Sequence, residues 1–111
     1  MKIDITQVMT AYDGTPIKET LADGKTAELT LKEVVCRALA RPEQGLDWKE
    51  EIRRDDLCRE IYRSEKTVEL TADDVTLIKG LVSKFGWSPS VSGAAHKMID
   101  PRPKLVEKAA N

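Results

Sequence analysis

Apolar residues recur most regularly between Thr71 and Ile99. Val75, Ile78, Val82 and Phe85 fall at helical spacing, and Leu77 and Leu81 widen the stripe. Thr71 and Asp74 occupy the two positions of a capping box, and Gly86 suits the left-handed residue that follows a helix. Ser88-Pro89 restarts the chain, with Ser as cap and Pro at the first helical position. Val91, Ala94, Ala95, Met98 and Ile99 then predict a last helix that ends before Asp100-Pro101. Gly93 inside it costs up to ~1 kcal/mol relative to Ala, so either the helix begins later or a neighbour packs closely there. This stretch is expected to organise the rest of the chain.

Two earlier helices are predicted by the same logic. Thr30 with Glu33 makes a capping box, and Leu31, Val34, Val35, Ala38 and Leu39 share one face. Arg37 and Arg41 complement the negative end of that helix, and Pro42 and Gly45 close it. Asp47 and Glu50 repeat the box and open a helix through about Tyr62. Its apolar stripe is split: Trp48, Ile52, Cys58 and Tyr62 on one side, Leu57 and Ile61 on another. A split stripe predicts contact with two neighbours or with a partner. The pairs Glu50–Arg54 and Asp55–Arg59 stand at i, i+4 in the favourable order. The arginine-rich run 53–63 therefore reads as a solvated ion-pair face, not as a phosphate-binding strip.

The front of the chain has the other period. Ile3, Ile5, Val8 and Met9 alternate weakly with polar residues, and Asp13-Gly14 suits a tight hairpin turn. Pro16 predicts a short or edge returning strand, because it has no N–H for a ladder. Asp23-Gly24 marks a second turn before Thr26 to Leu29, and Thr67 to Leu70 is a strand expected to join the front hairpin. The expectation is an α+β fold, a small N-terminal antiparallel hairpin or sheet packed with about four helices. Residues 1–100 are expected to form one domain and residues 101–111 a mobile tail.

Composition narrows the function classes. The 111 residues are 41% apolar and 33% charged, as in an ordinary globular chain, and their length can bury roughly 65% of the unfolded surface. With 18 basic and 19 acidic side chains there is no overall field to draw the protein onto nucleic acid or an anionic membrane. Cys36 and Cys58 read as two half-buried thiols. The N-terminus lacks the apolar run and cleavage site of a signal peptide, and no segment approaches the ~18 apolar residues of a membrane helix. A cytoplasmic protein is expected.

The inventory for catalysis is thin. His96 is the single histidine, without the Cys, Asp or Glu grouping that metal ligation needs. The cysteines lack C-x-x-C spacing, the glycines are scattered through turns and caps, and the acidic pairs are helix neighbours that diverge. No enzyme, cofactor or metal is expected. The segment Val82 to Ser92 resembles a helix-turn-helix, in which Ser88, Ser90, Ser92, His96 and Lys97 would face DNA. The would-be recognition helix contains Gly93 and no arginine, so phosphate contacts would be few.

Leu29-Thr30-Leu31 opening a helix, Val68 to Asp74, Leu77-Ile78-Lys79, Ser88-Pro89, and Val91-Ser92-Gly93 with Ala95 together resemble a group of short uncharacterised phage and prophage proteins. The similarity spans most of residues 12–100 and carries no catalytic motif. It implies a phage-derived, non-enzymatic origin. The function expected is thus an accessory role through protein–protein contact, possible self-contact included, with Leu57, Ile61 and Trp87 as the partner surface. DNA-binding regulation through residues 72–99 is the alternative.

Overall fold

The computed structural model describes residues 1–100; the tail expected at 101–111 lies outside the described residues. The fold is α+β. Four short strands, β1 (Lys2–Asp4), β2 (Lys18–Thr20), β3 (Thr26–Glu28) and β4 (Thr67–Glu69), accompany four helices. These are α1 (Leu31–Ala40), α2 (Trp48–Arg63), α3 (Ala72–Phe85) and α4 (Pro89–Ile99).

The strands form two separate antiparallel pairs. β2 and β3 make a hairpin around Asp23-Gly24 with Glu19 opposite Ala27. β4 pairs with β1, the first strand of the front segment it is expected to join, placing Ile3 opposite Val68. The Asp13-Gly14 turn is present, but its arms pair only briefly, through the Thr10–Pro16 bridge and the hydrogen bonds from Ala11 N–H to Thr15 C=O and from Ile17 N–H to Met9 C=O. The reason lies in a closed backbone triangle. Met9 N–H donates to Leu29 C=O (2.8 Å), Leu29 N–H to Ile17 C=O (2.8 Å) and Ile17 N–H to Met9 C=O (2.9 Å). Three chain segments thereby satisfy one another at a point where Met9 and Leu29 are buried, and no continuous sheet can extend through it.

α1 is the hub, a place the sequence assigned to Thr71–Ile99. It buries Leu31, Val34, Val35, Cys36, Ala38 and Leu39 and packs on α2, α3 and α4. Its expected capping box is absent: Thr30 makes no side-chain cap, and Glu33 lies 3.5 Å from Arg37 instead. The first N–H groups of the helix find backbone partners. Leu31 N–H donates to Gln7 C=O and Lys32 N–H to Ile5 C=O, so the front segment does the capping. The α3 box forms in full between Thr71 and Asp74, and Gly86 takes φ 96°.

Helix α4 runs unbroken over Gly93, where an added Cβ would meet open space. Neither a later helix start nor a close neighbour accounts for that glycine. One core collects Ile3, Ile5 and Met9 with the inward faces of all four helices. Among the described residues, no helix is long and apolar enough to cross a membrane.

Candidate interaction face

Helix α2 turns a buried face and an outward face in nearly opposite directions. Asp47 caps it by accepting from Lys49 N–H (3.2 Å), but Glu50 does not complete a box. Glu50 reaches Arg53 (3.3 Å) and Arg54 (3.1 Å) instead. Arg54 is a buried charge, satisfied by Glu50 and by Glu43 at 3.1 Å. Burial pulls its guanidinium down, and the hydrogen bonds it donates to Glu43 and Glu50, with the charges of both carboxylates, outweigh that and leave it above its ordinary value. The ion-pair reading of this helix therefore holds at its surface pairs, while Arg54 fastens the loop before α2 to the helix.

Leu57 and Ile61, expected at a partner surface, are 6% and 1% exposed and pack into the core. They cannot be reached by a partner without unfolding the α1–α2 seam. The sequence showed two candidate stripes without showing which one points inward. The accessible stripe is the other: Trp48 (63% exposed), Ile52 (52%) and Tyr62 (62%). At 100° per residue, its mean direction lies roughly 150° from that of Arg54, Leu57 and Ile61. Asp55 and Arg59 lie on the same outward stripe and pair with each other at 2.9 Å. Spacings of four and three residues from Trp48 through Ile52, Asp55 and Arg59 to Tyr62 give a heptad-type seam.

The two ends of this seam are partly held in place. Lys32 Nζ donates to Tyr62 C=O at 2.9 Å and lies 5.4 Å from its ring centroid. Lys49 Nζ lies 5.6 Å from the Trp48 ring.

Trp87 belongs elsewhere. It is half-buried and stacks on Phe85 with centroids 4.7 Å apart and planes 16° from parallel. Its indole nitrogen is buried without a hydrogen-bond partner among the described residues. Arg41 extends over the Phe85 ring at 6.0 Å and donates to Lys84 C=O (2.7 Å), covering the end of α3. Trp87 thus packs at the α3–α4 joint, partly buried against the core and not on an exposed surface with Leu57 and Ile61, which are themselves buried.

The five residues of the DNA alternative are dispersed in role. Ser88 caps α4 by accepting from Val91 N–H (3.4 Å), and Ser90 and Ser92 are half-buried. His96 is drawn onto α3, with Nε2 3.1 Å from Ser83 Oγ. Lys97 is exposed. Burial first, then the charge of Lys79, holds the His96 imidazole below its ordinary pKa, which favours the neutral ring over a phosphate-binding cation.

No group of three or more His, Cys, Asp or Glu that could hold a metal ion occurs among the described residues. Compared with protein-family models, with curated proteins and with solved structures, the chain matches none.

Proposed function

We propose that this chain is a non-enzymatic accessory protein of phage or prophage type that acts by docking onto another protein through the outward face of α2. It would serve virion assembly or the modulation of a phage or host complex. The observation that carries the reading is the clustering of exposed apolar bulk. Of six large apolar side chains exposed among the described residues, Trp48, Ile52 and Tyr62 share one side of one helix. Scattered exposed apolar residues need no explanation, whereas an aligned aromatic and aliphatic set is the usual make-up of an interface centre. The Asp55–Arg59 pair midway along the seam favours a partner helix with apolar residues flanking a polar centre.

A photo-cross-linkable residue in place of Ile52 tests this in cells carrying a phage or prophage genome. One defined adduct is expected, and it should vanish when Trp48 and Tyr62 are both changed to Ala. A probe at Leu21, exposed on the hairpin, should give no such adduct. Equal labelling from both probes would remove the reading. Salt-sensitive affinity for duplex DNA at low ionic strength would turn it toward α3–α4.

A further inference from the structure

Cys36 on α1 and Cys58 on α2 meet across the most extensive helix–helix contact of the fold. Their thiols cross: Cys36 Sγ donates to Cys58 C=O at 3.7 Å, and Cys58 Sγ donates to Cys36 C=O at 3.6 Å. Each side chain therefore already points at the other residue's backbone. Both contacts put the two thiols in the same stretch of the α1–α2 seam.

The two thiols differ in access. Cys36 is 7% exposed. Cys58 is half-buried and lines a surface depression of about 350 Å³ with Asp55, Arg59, Tyr62 and Arg63. Burial, with Cys58 beside it, pushes the Cys36 thiol up to about 12, so it stays protonated at neutral pH and is a poor first nucleophile. Of the two thiols, Cys58 is the one that a small oxidant entering the depression meets.

We propose that Cys58 and Cys36 form an oxidation site for small peroxides, with Cys58 the attacking thiol and Cys36 the one that resolves it. Cys58 gives its proton to solvent and its sulfur attacks one peroxide oxygen. The O–O bond breaks, and the departing hydroxide takes up a proton to leave as water. Cys58 is then a sulfenic acid, oxidised by two electrons, and the peroxide is reduced. Cys36 sulfur next attacks Cys58 sulfur, the S–O bond breaks, and the hydroxide released takes the Cys36 proton and leaves as a second water. The sum is two thiols and one hydrogen peroxide going to one disulfide and two waters. The disulfide ties α1 to α2 and shuts the thiol edge of the depression.

Hydrogen peroxide added to the full wild-type chain tests this by intact mass and by non-reducing gel. A loss of about 2 Da in a monomeric species, reversed by dithiothreitol, is expected, with a melting temperature several degrees higher in the oxidised form. Cys36→Ser should stop at the sulfenic acid and give a dimedone adduct on Cys58. Cys58→Ser should leave Cys36 unmodified at the same dose. Gains of about 32 or 48 Da in the wild type without the loss of 2 Da, or disulfide-linked dimers, would overturn the proposal. The wild-type mass decides whether the internal disulfide forms, and dimedone present during oxidation of the wild-type chain decides the order: an adduct on Cys58 is expected and one on Cys36 would overturn the proposal, so poor folding of either variant cannot obscure it.

Discussion

Arg37 holds Glu19 by both carboxylate oxygens, with Nη1 2.6 Å from one and Nη2 2.7 Å from the other. This bidentate pair fastens the β2–β3 hairpin to the hub helix. Residues 20–28 of that hairpin are all exposed, so packing contributes little to holding it. A side chain that the sequence assigned to a helix end is the clamp of a distant arm.

The clamp depends on guanidinium geometry. Arg37→Lys keeps the charge but loses the fork, and should destabilise the protein by about 1 kcal/mol, because the pair is partly exposed. Amide exchange should quicken in 18–28 and stay slow in α1. Uniform quickening across both would show that the pair supports the whole fold instead.

Acid should act on the same pair. The Arg37 hydrogen bond keeps the Glu19 carboxyl below its ordinary 4.5. A carboxylate with a depressed folded pKa contributes stability that is present above 4.5 and lost as pH falls through the folded value. A titration followed at hairpin resonances should show release below pH 4.5, and Glu19→Gln should remove that step.

His96 predicts an effect of the same sign at higher pH. Its folded pKa lies below 6.5, chiefly through burial and then through Lys79. The unfolded chain therefore takes up the proton first, and stability present above 6.5 is lost as pH falls from there toward the folded value. The melting temperature should drop as pH falls below 6.5. His96→Gln should flatten that drop, and an unchanged slope would assign it to the carboxylates.

Gly93→Ala should stabilise the protein by about 0.5–1 kcal/mol in urea unfolding. The helix passes over the position and an added methyl meets no atom within 4 Å. Destabilisation would mean that something covers that side of α4.

The caps should separate by context. Thr71→Ala removes the hydroxyl that accepts from Asp74 N–H, leaving only the Thr71 N–H to Asp74 carboxylate half of the box, and should cost about 1 kcal/mol. Thr30→Ala should cost less, since Gln7 and Ile5 carbonyls receive the first N–H groups of α1. In the same measurement, Ile61→Ala should cost about 2–5 kcal/mol and Ile52→Ala close to nothing, because only the first lies in the core.

The sequence by itself determined the local elements. Thr71, Gly86 and Ser88-Pro89 mark where helices start and stop, because caps and left-handed residues act within one turn of chain. The four helices and the Asp23-Gly24 hairpin follow from such short-range chemistry. Tertiary structure decided the rest. The register of β4 on β1, with Ile3 opposite Val68, joins backbone partners 65 residues apart that the assembled core chooses and period-two alternation does not record. Thr30 makes no side-chain cap, and the Gln7 and Ile5 carbonyls of the segment after β1 receive the first N–H groups of α1 instead. α2 carries apolar residues on two sides, and periodicity ranks neither. Only docking against α1 sent Leu57 and Ile61 inward, paired Cys36 with Cys58, and left Trp48, Ile52 and Tyr62 facing solvent.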